Sequence, residues 1–136
     1  MTPENLMDLA REAMTHAYVP YSGYKVGAAL LCADGTVYQG CNIENASYSP
    51  TICAERTAFF KAVSEGSRKF QAIAIAGGLE EKPVTDYAWP CGICRQVMQE
   101  FCGPEFQIIV AKSETEYQVK TLAELLPHGF GGDSIA

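Results

Sequence analysis

Two cysteine motifs, each at the start of a helix-forming stretch, constrain this chain more than anything else in it. Cys91-Gly-Ile-Cys94 follows Pro90 and sets two thiols three residues apart, on one face of a helical turn. Such a pair by itself serves either zinc or redox chemistry. Cys53-Ala-Glu55 lies upstream, and a redox pair has no use for it. A third thiolate brought to the same point makes a three-ligand zinc site whose fourth position stays open to water. Helix N-termini carry both motifs; their partial positive charge favours the thiolates that zinc requires. Three thiolates still leave the metal with an excess of negative charge, and Arg56 is the nearest cation to offset it. Glu55 reaches the metal because it falls in the first turn, near the helix end. The alternative is a closed structural knot completed by Cys41 or Cys102, but such a site gains nothing from a carboxylate beside the metal.

The remaining composition narrows the setting. Glu4, Asp8, Arg11 and Glu12 interrupt the apolar residues of the N-terminus, a pattern of neither a secretory signal nor a membrane span, so the expected location is cytoplasmic. In a reducing compartment the six cysteines are expected as metal ligands or buried thiols. Cys32, Cys41 and Cys102 are then small apolar residues. A hydrophobic content of 48% over 136 residues, without linker or repeat, provides for one domain over residues 1–136. The net charge is -6, with Lys and Arg scattered singly. That leaves no basic patch to neutralise phosphates, so the expected partner is a small neutral or cationic molecule and no nucleic acid.

Thr2-Pro3 opens a helix, with Leu6, Leu9, Ala10, Ala13, Met14 and Ala17 on its buried face and Pro20 as its stop. The runs 26–32 and 36–43 flank Asp34-Gly35 and read as a hairpin. A helix from near Cys53 ends at Gly66, and another runs from Cys91 to about Phe101. Apolar runs over 70–76 and 106–111 each follow a helical stretch, which predicts an α/β sheet with parallel members. Thr121-Leu-Ala-Glu124 is a capping box for a short helix stopped by Pro127, and Gly131-Gly132 suggests a loose tail.

Cys53-Ala-Glu-Arg-Thr-Ala58, Pro90-Cys-Gly-Ile-Cys-Arg-Gln96 and Gly40-Cys-Asn-Ile-Glu-Asn-Ala46 together resemble the cytidine deaminases. The likeness continues through Val26-Gly-Ala-Ala-Leu30, Lys61-Ala-Val-Ser-Glu-Gly66 and Glu124-Leu-Leu-Pro127. The zinc motif alone is common to deaminases of bases, nucleosides, nucleotides and polynucleotides; the Asn42-Ile-Glu44 block narrows it to nucleosides. The resemblance implies a three-layer α-β-α fold with a mixed sheet of about five strands and helices on both faces. It implies one zinc ion per chain and hydrolytic deamination of cytidine and deoxycytidine to uridine and deoxyuridine, in pyrimidine salvage. Glu55 then moves the protons, Asn42 and Glu44 hold ribose hydroxyls, the Ala54 backbone touches the base, and Tyr24 lines the pocket. From residue type alone, Asn42 and Glu44 also read as polar loop positions and Tyr24 as a core aromatic. Short three-cysteine members of the family are homotetramers, which implies that Phe130 reaches a neighbouring subunit's pocket with Tyr48 at the same junction.

The chain departs from the family pattern at several positions. Tyr24 stands where Phe is common, Ile93 where Ala is common, and Trp89 where a small residue is usual; the segment 77–89 is somewhat long. The rival readings are a deaminase of blasticidin-S-type nucleoside antibiotics, against which Asn42 and Glu44 speak, and a non-catalytic zinc-stabilised binding module.

Overall fold

The structure, a computed structural model, describes residues 1–79, 87–113 and 115–135. Among the described residues ten elements follow one another: α1 (Pro3–Met14), β1 (Tyr24–Cys32), β2 (Val37–Cys41), α2 (Ala54–Ser64), β3 (Phe70–Leu79), α3 (Gly92–Phe101), β4 (Gln107–Ala111), β5 (Tyr117–Thr121), α4 (Leu122–Leu125) and α5 (Gly132–Ile135). The strands form one five-stranded sheet in the order β2-β1-β3-β4-β5. Only β3 and β4 run parallel, joined across α3; the other neighbours are antiparallel.

Strand alternation divides the core into two layers. Ala28, Leu30, Ile73, Ile75, Ile108 and Val110 face the side that holds Phe59, Ala62 and Met98, the buried residues of α2 and α3. Ala29, Leu31, Ala72, Ala74, Ala76, Ile109 and Ala111 face Leu6, Met7 and Ala10 of α1. Helices therefore cover both faces, as a three-layer α-β-α fold requires. The side chains on the α1 side are mostly alanines, so this helix lies close to the sheet. At Gly27 a Cβ would come within 1.9 Å of the Ala10 carbonyl oxygen, so only glycine fits. Gly40 plays the same part on the opposite face, where a Cβ would lie 2.5 Å from Ala54 O and Ala58 N. The first turn of α2 thus rests directly on β2.

Several sequence expectations need correction at their boundaries. The first helix stops at Met14 and not near Pro20, so Ala17 lies outside it. Thr15 turns the chain by bonding the Glu12 carbonyl with its side chain (2.7 Å), and Tyr18 is then captured by the Asn42 carbonyl (3.0 Å). The second hairpin strand ends at Cys41, and Ile43 pairs instead with Tyr18 and Ile52. The edge strand β5 has no clear signal in its sequence; its residues are half-buried or exposed. The glycine-rich tail, expected to be loose, forms α5. The capping box at Thr121 and Glu124 forms as expected, and Gly66 takes a left-handed φ of 99° just past α2. All six cysteines are free, and among the described residues no helix is long and apolar enough to cross a membrane.

The glycine contacts give a stability prediction. Gly40→Ala should cost about 1–3 kcal/mol or more, because the new methyl meets backbone that cannot move aside. Gly92→Ala, where nothing lies within 4 Å, should stay within about 1 kcal/mol of the parent or exceed it. Denaturant unfolding of both variants checks the contrast; equal stabilities would mean that α2 does not rest on β2 as described.

Candidate active site

Cys53 is the N-cap of α2 and Cys91 the N-cap of α3, both with extended backbone, while Cys94 sits in the first turn of α3. The start of α2 is fixed by β2 beneath it, and the start of α3 by Arg95, which donates to Pro90 O (2.7 Å) and Leu125 O (2.7 Å). Together they bring three sulfurs within 4.8 Å of one another. Cys53 Sγ lies 3.8 Å from Cys91 Sγ, which is 3.5 Å from Cys94 Sγ. Among the described residues no fourth cysteine, histidine or carboxylate completes the set, so neither Cys41 nor Cys102 closes it. Burial pushes the Cys102 thiol up to about 12 and raises that of Cys41. Both are half-buried free thiols outside the cluster.

The electrostatics of this cluster call for a cation. The Cys53 thiol is pushed down to about 5, first because Cys94 donates to it, then because Arg56 does, against the opposing effect of burial. Cys94 is raised in turn, chiefly because its proton is committed to Cys53 and because it is buried. Arg56 Nη2 donates to Cys53 Sγ at 3.3 Å, while its buried Nε has no hydrogen-bond partner. One thiolate is thus tolerated on Cys53, and Cys94 stays protonated unless a positive charge enters beside it. Three soft donors with a fourth direction open match zinc.

Glu55 lies one residue inside α2 and is only 4% exposed, a buried charged side chain in an otherwise apolar core. Burial raises its carboxyl to about 7, and the Cys53 thiolate adds to the effect; hydrogen bonds from its own backbone and from Cys94 oppose it. A carboxyl that titrates near neutrality, in contact with the thiol cluster, is suited both to take and to return a proton.

A cavity of about 460 Å³ opens beside these groups. Of the residues expected from sequence, Tyr24, Asn42, Glu44, Cys53, Ala54, Glu55 and Cys91 all line it. Asn42 and Glu44 do so while holding the backbone together. Beyond the end of β2, Asn42 Oδ1 accepts from Val26 N (2.9 Å) and its Nδ2 donates to Tyr24 O (2.9 Å), continuing the ladder with a side-chain amide. Glu44 Oε1 accepts from Tyr21 N (3.0 Å) and Ser22 N (3.1 Å), and Oε2 accepts from the Ser22 hydroxyl. These bonds hold the Glu44 carboxyl below its usual range, the Ser22 side chain contributing most. At Gly77 the sheet is bare where Tyr24 and Ala88 meet: a Cβ there would lie 2.9 Å from Ala88 Cβ and 3.1 Å from Tyr24 Cε1.

Two expected residues are not brought to this cavity. Tyr48 is 84% exposed and Phe130 59% exposed, and neither lines it. Gln96 of α3 donates to the Phe130 carbonyl at 2.8 Å, which tethers the tail to the helix carrying Cys94. Sequence reasoning missed Val26, Thr51, Ile52, Tyr87 and Ala88 as lining residues. Tyr87, whose ring lies 5.9 Å from that of Trp89, could have been suspected from the aromatics on either side of Ala88. Of the long segment 77–89, residues 80–86 lie outside the described residues.

Comparison with known proteins agrees with this geometry. The family model for the cytidine and deoxycytidylate deaminase zinc-binding region matches residues 1–110. A cytidine deaminase of Sporosarcina psychrophila is 48% identical over 100% of this chain and 96% of its own. One of Halalkalibacterium halodurans is 47% identical, covering 99% and 98% respectively. The crystal structure of a cytidine deaminase from Burkholderia pseudomallei superposes with a TM-score of 0.87 at 43% identity, covering 96% of this chain and 100% of that one.

The thiol electrostatics predict how many protons zinc displaces. Cys53 is already a thiolate at about pH 7, so zinc uptake there should release fewer protons than the three thiols hold in full. Below pH 5 Cys53 is protonated and one more proton should appear. Calorimetry of zinc binding to the metal-free protein, in buffers of differing ionisation heat, counts them; a Glu55→Gln background keeps the carboxyl out of the count. Arg56→Ala in that background should raise the count at neutral pH and weaken zinc retention. A count unchanged by the loss of Arg56 would remove it from the metal centre.

Proposed function

This chain belongs to the cytidine and deoxycytidylate deaminase family, and we propose that it hydrolyses cytidine and deoxycytidine to uridine and deoxyuridine with release of ammonia. The observation that carries this reading is a buried carboxyl, Glu55, set against an open three-thiol cluster at the wall of a nucleoside-sized cavity.

Cys53, Cys91 and Cys94 hold one zinc ion per chain, with Arg56 hydrogen-bonded to Cys53. When bound, zinc supplies a Lewis acid that makes a water molecule acidic at neutral pH. Glu55 accepts the proton of the attacking water and passes it to N3 of the cytosine ring, which leaves C4 more electrophilic. The oxygen adds at C4 still carrying its second proton; Glu55, now ionised, takes that proton from the new C4 hydroxyl and delivers it to the exocyclic amino group. The C4–N bond breaks, ammonia departs, and the ring keeps the oxygen as its new carbonyl. A carboxyl held near neutrality by burial matches both halves of this shuttle.

The backbone of Ala54 touches the base and Tyr24 lines its pocket, while Asn42 and Glu44 hold the ribose. No Lys or Arg stands among the described residues lining the cavity, which favours a nucleoside over a nucleotide. The assembly is a homotetramer with shared sites. In support, Tyr48 and Phe130 are large aromatics left exposed on the single chain. A cytoplasmic role in pyrimidine salvage accords with the free thiols.

Ammonia release from cytidine tests the reading directly. Glu55→Gln should keep its zinc yet lose at least ~10²–10⁴-fold in rate, the range for one acid-base group. Turnover near that of the parent would assign the proton transfers elsewhere. Glu44→Ala should penalise cytidine far more than free cytosine, which should itself be a poor substrate. Equal effects on the two would take Glu44 out of the ribose site. Mixing inactive Glu55→Gln and Phe130→Ala chains should restore part of the activity, and a fully active monomer in light scattering would exclude shared sites.

A further inference from the structure

The Glu44 carboxylate has about four acceptor positions. Two on Oε1 are taken by Tyr21 N and Ser22 N, and one on Oε2 by the Ser22 hydroxyl. One position remains, on Oε2, for a single ligand hydroxyl. A carboxylate only accepts, so the Ser22 proton is committed to Glu44, and the Ser22 oxygen in turn accepts from Tyr24 N at 3.0 Å. Ser22 itself is exposed and does not line the cavity. It nonetheless joins two residues that do, across the turn permitted by Gly23 with φ 70°.

We propose that Ser22 is a positioning residue for the sugar side of the site: its hydroxyl, donating to Glu44 Oε2 and accepting from Tyr24 N, aims the one acceptor position Glu44 has left. Without it Oε2 has no fixed partner in the protein and turns to solvent, so the ligand hydroxyl must order it on binding. The inference rests on the reading of Glu44 as a ribose contact, and the test separates the two.

Steady-state kinetics on cytidine are measured for Ser22→Ala, Ser22→Thr, Glu44→Ala and the double Ser22→Ala/Glu44→Ala, with zinc content and thermal unfolding of each. Ser22→Ala should raise KM about tenfold, the effect of one hydrogen bond to a charged group, while kcat changes much less. Ser22→Thr, which keeps the hydroxyl, should restore most of the affinity. In the Glu44→Ala background, Ser22→Ala should add little, because its effect is exerted through the missing carboxylate. If Glu44→Ala raises KM but Ser22→Ala does not, or if the two effects multiply, the positioning role is overturned and the ribose reading stands. If Glu44→Ala leaves KM unchanged, both fall together. A drop in kcat and zinc content shared by Ser22→Ala and Ser22→Thr would mark Ser22 as a structural loop residue and overturn the proposal.

Discussion

Three thiols within 4.8 Å cannot all lose their protons unless a cation sits among them, and the rest of the site is organised around that constraint. One negative charge is accommodated on Cys53 by Arg56 and by the Cys94 thiol. Ionisation of Cys94 calls for a further cation, so metal binding and completion of the site are one event. Glu55 is placed where this coupling matters: buried against the same thiols, its protonation is sensitive to their charge. Glu55 and the three thiols form a single electrostatic unit, not two features that happen to adjoin.

The fold serves that unit by holding two helix ends still. The α2 N-terminus is pressed onto β2 at Gly40, with no side chain between them to yield. At the α3 N-terminus Arg95 ties the chain to Pro90 O and Leu125 O, and the Cys91 sulfur accepts from Cys94 N at 3.5 Å, standing in for a conventional oxygen cap. Large aliphatic residues on this face of the sheet, with Phe59, Phe70, Phe101 and Phe106 packed edge and face, anchor both helices in one core. The opposite face needs only to be covered, and an alanine-rich surface beneath α1 does so at close range.

Asn42 and Glu44 show how residues proposed to bind the ribose can also be structural ones. Each replaces backbone hydrogen bonds that the chain gave up where β2 ends, Asn42 by bridging Tyr24 and Val26, Glu44 by gathering the turn at 21–22. Each keeps hydrogen-bonding capacity for a ligand after doing so. Their side chains are therefore ordered before any ligand arrives, and the ordering cost falls on folding instead of binding.

Much of this was legible in the residues. The cysteine spacing with its carboxylate marked the metal centre, strand and helix periodicities located four of the five strands and the main helices, and Thr121 with Glu124 announced α4. Helix and strand signals are local, and so are caps, so one chain segment suffices to read them. What escaped was non-local. The strand over 117–121 is defined by its pairing with β4, since its own side chains are largely exposed. The α1 terminus was set by the capture of Tyr18 on the segment 42–44. The sequence by itself determined the chemistry of the donors: which atoms ionise, ligate and accept. Only the tertiary structure decided that Glu55 is buried enough to titrate near neutrality, that Tyr87 and Ala88 close the cavity, and that Ser22 holds Glu44. Desolvation and hydrogen bonding depend on what surrounds an atom in space, and chain order does not specify those neighbours.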